Sequence, residues 1–300
     1  MHMVLSLTLM HDAHLAKESP ARTATHTRNA LQHWNTATKL FNTVLSNPIR
    51  PAARDAIWAT GALIGATVFA YVESPDPFAS WPLKPSDPND LDWLKLSEGK
   101  KAIWKVADPL RPDSIFHSMS KEYSFSDMPQ WIEANDLSSL PTELLGIFDI
   151  TPESTVLSNV YHLPVLILAR LHDMMPTHDN VLNFLYFMGY MTATFRDLLE
   201  AKDHRALLLL GWWFKKLQDG ELWWLTSRSR IEGEALRIWL ERWYGEGVLS
   251  ELFETVARKR GNRSECGTKK RVLVQDSKPA LPGAWCGAPA SYEGLSCPVQ

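Results

Sequence analysis

The sequence has little cysteine: the three residues Cys266, Cys286 and Cys297 all lie within the last 35 of 300, and none belongs to a CxxC pair. A secreted disulfide framework needs an even set of regularly spaced cysteines, and a structural zinc site needs closely spaced ligands. The sequence therefore excludes both frameworks and favours a reducing compartment.

Long apolar segments are also missing. The longest apolar run, residues 57–72, has 16 residues, whereas a helix needs roughly 20 to cross a bilayer, so this run predicts a buried helix and no membrane span. The apolar N-terminus lacks the basic residues that precede a signal-peptide core, so it is interpreted as the first helix of the domain. A net charge of −3 argues against a surface that binds nucleic acid throughout.

Common catalytic motifs are absent, including the nucleophile turn G-x-S-x-G, the dinucleotide loop G-x-G-x-x-G, the phosphate-binding loop and the zinc motif H-E-x-x-H. We therefore predict that the chain is not an enzyme and has no catalytic, cofactor or metal site. His11 and His14 lie three residues apart on the first helix, but no third metal ligand accompanies them. The pairs His172-Asp173 and His178-Asp179 are interpreted as a polar, solvated turn.

One segment is similar to a magnesium-binding motif of terpene synthases, which are also all-helical. In it, Asn135, Ser139 and Glu143 have the spacing of three oxygen ligands on one helical face. Pro141 would interrupt that helix, and no two aspartates are adjacent anywhere in the chain, so the aspartate-rich partner motif is missing. The match is interpreted as coincidence.

Helical spacing of apolar residues dominates what is present. A stripe from Leu31 to Leu45 ends at Asn47-Pro48, and Pro51 opens a second helix that runs to Val72 and is apolar on all sides, which predicts full burial. Residues 74–90 hold five prolines and predict a loop, after which 90–105 form an amphipathic helix.

The second half continues the helical pattern. Thr151-Pro152 predicts a helix start, with a kink at Pro164 further along. One apolar stripe covers residues 181–198, and two more helices follow. No segment alternates as a strand does, so the fold class is predicted to be all-α: one multi-helix domain with Pro-rich loops over residues 1–257.

Two further features concern the contacts between helices. The aromatic clusters Trp212-Trp213-Phe214 and Trp223-Trp224 are expected in the core, although a flat apolar ligand between helices would need the same residues. Gly61 and Gly65, four residues apart, would let another helix approach closely.

Residues 258–300 differ from the rest in composition. The stretch 258–271 holds seven basic residues and one acidic residue, which gives it a charge of +6 and leaves −9 for the remainder. The residues after it are rich in Gly, Pro and Ser, which predicts a disordered tail. The basic stretch fits either a two-part nuclear import signal or a solvated tail.

Several stretches, in order along the chain, resemble the C-terminal regulatory region of fungal binuclear zinc cluster transcription factors, in the group of sterol uptake control proteins. The stretches that carry this resemblance are Asp90–Lys105, Asp108–Phe116, Asn159–Pro164, Phe195–Leu217 and Trp223–Arg242. None of them is a catalytic signature, and their shared order is what makes the resemblance specific.

The resemblance implies an all-helical, effector-sensing domain that acts in the nucleus on transcription by RNA polymerase II. It also implies a sterol-like or other apolar ligand, and the transcription machinery or a homologous subunit as partner. The family's zinc cluster needs six closely spaced cysteines, which this sequence does not contain, so no specific DNA binding by this chain is expected. The alternatives are a helical lipid or sterol carrier with no transcriptional role and a terpene-synthase-like enzyme.

Overall fold

A computed structural model describes residues 1–118, 132, 134–220 and 222–245. These residues form ten α-helices and no strand, which confirms the all-α prediction. The predicted domain boundary at 257, the basic stretch, the tail and all three cysteines lie outside the described residues. In chain order the helices are α1 (His2–Leu15), α2 (Pro20–Leu45), α3 (Arg54–Ala70), α4 (Asp92–Ala107), α5 (Thr142–Ile147), α6 (His162–Leu171), α7 (Val181–Gly189), α8 (Ala193–Glu200), α9 (His204–Gln218) and α10 (Trp223–Tyr244).

The first two helices form an antiparallel hairpin. Pro20 begins α2, where its missing N–H costs nothing, and α2 ends at Leu45, just before the predicted stop at Asn47-Pro48. The buried Ser6 hydroxyl donates a hydrogen bond to the carbonyl of Ala30 at 2.9 Å and joins the two helices. The hairpin then packs on α3 and α10.

Helix α3 lies against α4 on its glycine face, as the sequence predicted. A Cβ atom at Gly61 would come within 3.0 Å of Ile103, and one at Gly65 would overlap the end of the Lys100 side chain. The prediction that α3 is buried on all sides is wrong. Ile57, Trp58 and Phe69 are among the few buried residues, and most of the others are half-buried, because the neighbouring helices cover only parts of α3.

The loop after α4 is fixed to α3 by one carboxylate. Asp55 accepts hydrogen bonds from the Arg111 guanidinium at 2.7 Å, from the Ser114 hydroxyl at 2.8 Å and from the Ile115 amide at 3.1 Å. Burial alone would raise the pKa of Asp55, but these three donors lower it below its usual value. Three residues of the stretch 108–116, one of those that carry the family resemblance, therefore anchor this loop to α3.

Helix α9 is the centre of the molecule and packs against α6, α7, α8 and α10. Asp203 caps its first turn by accepting from the amides of Arg205 and Ala206. Trp213 is fully buried, stacks on Phe187 with ring centroids 5.1 Å apart, and donates from its indole nitrogen to the carbonyl of Phe184 at 2.8 Å. The main hydrophobic core lies around this helix.

Two helix boundaries differ from the prediction. No helix starts at Thr151; α6 starts at His162, so Pro164 falls in its first turn, where proline is tolerated, and does not kink the middle of a helix. The stripe 181–198 is divided into α7 and α8, because the Thr192 hydroxyl accepts a hydrogen bond from the Phe195 amide and starts a new helix. Apolar periodicity continues across this break and therefore did not reveal it.

Helix α10 contains a buried ion pair, and the arginine of this pair also binds the end of α3. The guanidinium of Arg228 contacts the carboxylate of Glu232 one turn later, and both side chains are only 10% exposed. Arg228 also donates to the carbonyls of Val68 at 3.0 Å, Phe69 at 3.3 Å and Tyr71 at 2.7 Å. These acceptors lie at the C-terminal end of α3, which a cation stabilises.

The titration of Glu232 gives a test of this arrangement. Burial raises the pKa of Glu232 to about 7, although the nearby Arg228 acts in the opposite direction. The folded state therefore binds more protons than the unfolded state between the usual glutamate range and pH 7, and its stability falls as the pH rises through that window. We expect the free energy of unfolding to fall by about 2 kcal/mol more between pH 5 and 8 in the wild type than in Glu232→Gln.

Urea unfolding at both pH values, followed by circular dichroism, measures this difference. Glu234→Gln on the same helix is the control, because Glu234 is partly exposed and its partner Arg237 keeps its pKa below the usual value. Parallel pH profiles for the wild type and Glu232→Gln would contradict the prediction.

Candidate functional site

The terpene-synthase-like residues do not share a helical face. Asn135 lies in a turn with a positive φ of 48°, and its side-chain oxygen contacts the Nε2 atom of His162 at 2.5 Å. Helix α5 begins only after Pro141, so Glu143 is on a helix that does not extend back to Ser139. This position of Pro141 confirms that it interrupts the helix that the motif would need.

The two His-Asp pairs have different environments. His178 and Asp179 are exposed, as expected for a solvated turn. The prediction is wrong for His172, which is buried because it caps the end of α6, and whose carbonyl accepts a hydrogen bond from the buried Lys216 at 3.2 Å. His172 is therefore part of the packing between α6 and α9.

The residues of the two aromatic clusters also lie in different environments. Trp212, Trp213 and Phe214 are at most 3% exposed, which confirms the core interpretation for the first cluster. In the second cluster, Trp224 packs edge-to-face on the buried Phe69. Its neighbour Trp223 is half-buried and lines a cavity outside the core.

His11 and His14 both lie beside Trp223, with ring centroids 5.0 Å and 6.0 Å from its ring. They connect α1 to the start of α10 through ring contacts. Over the residues that the structure describes, no group of three or more His, Cys, Asp or Glu side chains is arranged to hold a metal ion.

The cavity beside Trp223 is the candidate functional site. It has a volume of about 440 Å³, within the range of small-molecule sites. Four helices meet there: α1, the start of α2, the end of α3 and the first two turns of α10. Its lining residues are Met10, Ala13, His14, Lys17, Thr23, Thr27, Ala70, Tyr71, Val72, Pro75, Trp223, Thr226, Ser227, Arg230 and Ile231.

The polar part of this lining is cationic. Lys17, Arg230 and His14 contribute basic groups and five hydroxyl side chains also line the cavity, whereas none of the lining residues that the structure describes is Asp or Glu. Burial lowers the pKa of His14, and the positive charges of Lys17, His11 and Arg230 lower it further. The charged groups are therefore close enough to affect one another, although the protein as a whole is acidic.

An open groove continues from the cavity along the outer side of α2. It has a volume of about 760 Å³ and shares Lys17, Thr23, Thr27 and Pro75 with the cavity. The groove adds Arg28 and the apolar Leu31, and no acidic residue is among the described residues that line it. We call the cavity and this extension together the N-terminal groove.

Sequence reasoning missed the N-terminal groove, since its residues come from four separate segments and none forms a motif. The nearest signals were Trp223, weighed in the sequence as a contact for a flat apolar ligand, and the pair His11 and His14, which was considered only as a metal site. No protein-family model, curated protein or solved structure matches the chain, so the family resemblance remains a prediction. None of the described helices combines the length and apolar character needed to span a membrane.

Proposed function

We propose that the chain is the effector-sensing regulatory domain of a fungal transcription factor, and that the N-terminal groove receives the effector. In this proposal the domain acts in the nucleus on transcription by RNA polymerase II, together with the transcription machinery or a homologous subunit. The effector is a sterol-like or other lipid-like small molecule.

The observation that carries this proposal is the place of the cavity in the fold. Its walls come from the α1–α2 hairpin on one side and from α3 and α10, which pack on the main core, on the other. A ligand between these parts contacts both, so its binding free energy depends on how the hairpin sits against α10. A ligand that binds one arrangement of the hairpin against α10 more tightly than another shifts the population towards that arrangement.

The direction of the signal follows from the resemblance. In the family that the sequence resembles, the DNA-binding module lies N-terminal to the regulatory region. The α1–α2 hairpin is the part of this domain nearest to such a module along the chain. An effector that repositions the hairpin therefore acts on the element through which the two parts would be joined.

A reporter assay in yeast tests this function. We expect the chain, fused to a foreign DNA-binding domain, to change reporter transcription when the cells are depleted of sterol or supplied with lipid. Ser227→Trp fills part of the cavity and should remove the response, because a large side chain then occupies the ligand's space. Ser227→Ala changes the same position without filling it and should keep the response, at equal fusion-protein levels.

A reporter that stays unchanged under every sterol and lipid condition would count against a regulatory role. The same cavity also suits the second candidate function, a helical lipid or sterol carrier, because a carrier needs the site but no link to transcription. In that case the purified chain would bind lipid, and Ser227→Trp would weaken binding without any effect on the reporter.

A further inference from the structure

We infer that the N-terminal groove binds an amphipathic organic anion, a carboxylate on a medium or long alkyl chain, in preference to an uncharged sterol. This inference rests on the proposed function only in that both use the same site. The carboxylate lies between Lys17 and Arg230, and the alkyl chain occupies the apolar part of the cavity beside Trp223.

The charge of the site carries the first part of the inference. Lys17, in the turn between α1 and α2, and Arg230, on α10, both line the cavity, and neither forms an ion pair with another described residue. This contrasts with Arg228 and Arg237 on the same helix as Arg230, which are each paired with glutamates. Two unpaired cations at one cavity, with no carboxylate among its described lining residues, are complementary to an anion.

The apolar lining carries the second part. The apolar lining residues are Met10 and Ala13 on α1, Ala70 and Val72 at and just after the end of α3, and Ile231 on α10. Such a surface suits an alkyl chain, since burying each CH₂ group contributes about 0.8 kcal/mol. A simple inorganic anion would leave this surface exposed to water.

An uncharged ligand fits the cavity less well than a carboxylate does. Lys17 and Arg230 are both exposed, so a neutral sterol gains nothing from their charges, whereas a carboxylate gains charge-assisted contacts with them. The hydroxyls of Thr23 and Thr226 already donate to the carbonyls of Ala16 and Trp223, so Lys17 and Arg230 are the groups that meet the charge of a carboxylate.

Isothermal titration calorimetry on the purified chain tests the inference with sodium decanoate and with 1-decanol, its uncharged counterpart. We expect the wild type to bind decanoate more tightly than decanol. Arg230→Gln and Lys17→Gln should each weaken decanoate binding by about five- to tenfold, as expected for the loss of one partly solvated charge pair. Both variants should leave decanol binding within about twofold of the wild type, because only the charge contact is lost.

The matched control is Arg242→Gln, which removes an exposed arginine from the far end of the same helix and should change neither affinity. Equal binding of decanoate and decanol, no binding of either, unchanged affinity in Arg230→Gln, or equally tight binding of sodium acetate would each overturn the inference. The reporter assay is separate: a sterol-specific response with no decanoate binding would retain the proposed function and reject this ligand class.

Discussion

Replacing Arg228 with alanine is expected to lower the free energy of unfolding by about 3–5 kcal/mol at pH 7.5. The substitution leaves the carboxylate of Glu232 buried without its partner. It also removes the donors that the carbonyls of Val68, Phe69 and Tyr71 use at the end of α3. Breaking a buried pair from one side is costly, since Glu232 then either keeps a desolvated charge without a partner or takes up a proton, because the loss of Arg228 raises its pKa further.

Arg237→Ala is a close control for this effect. Arg237 lies on the same helix and contacts Glu241 one turn later, with the same spacing as Arg228 and Glu232, but its side chain is 44% exposed. Exposed pairs contribute little, so its loss should cost about 0–1 kcal/mol. Urea unfolding of both variants measures the difference. Equal losses in the two variants would show that Arg228 does not hold α10 to α3.

Replacing Trp213 with alanine is expected to lower the free energy of unfolding by about 3–5 kcal/mol, the range found for large aromatic side chains removed from a core. Trp213 is 0% exposed and contacts aromatic rings on two sides, stacking on Trp93 and on Phe187. Its indole N–H also satisfies the carbonyl of Phe184. The surrounding rings come from four helices and cannot all move in to fill the space.

Trp243→Ala controls for the loss of a tryptophan as such, because Trp243 is 59% exposed near the end of α10. Its loss should cost about 1 kcal/mol or less, as for most surface substitutions. Thermal unfolding separates the two variants, since a loss of 3–5 kcal/mol lowers Tm by roughly 10 °C in a domain of this size. A Trp213→Ala protein as stable as Trp243→Ala would contradict the assignment of α9 as the centre of the core.

The sequence predicted the elements that depend on neighbouring residues. Helix α4 and the end of α2 follow from apolar spacing and from Asn47-Pro48, both of which act within a few residues. Two helix boundaries were predicted wrongly because details within a few residues decided them. The hydroxyl of Thr192 starts a new helix within one apolar stripe, and the late start of α6 places Pro164 where it is harmless.

The candidate site could not be predicted in the same way. Trp223 and Trp224 are adjacent and chemically identical, yet one packs on the core and the other lines the cavity, because they point to different sides of α10. Which side faces the core depends on how the α1–α2 hairpin docks. Lys17 and Arg230 meet only in the folded chain, more than 200 residues apart in sequence.

The sparse burial of the hairpin has a consequence for ligand binding. Of the 26 residues of α2, only Ala30 and Ala37 are buried, whereas most of α9 is. Segments with few buried contacts open at a lower free energy than the rest of a protein. A ligand that bridges α1 and α10 therefore also orders the hairpin, and its measured affinity is lowered by the cost of that ordering.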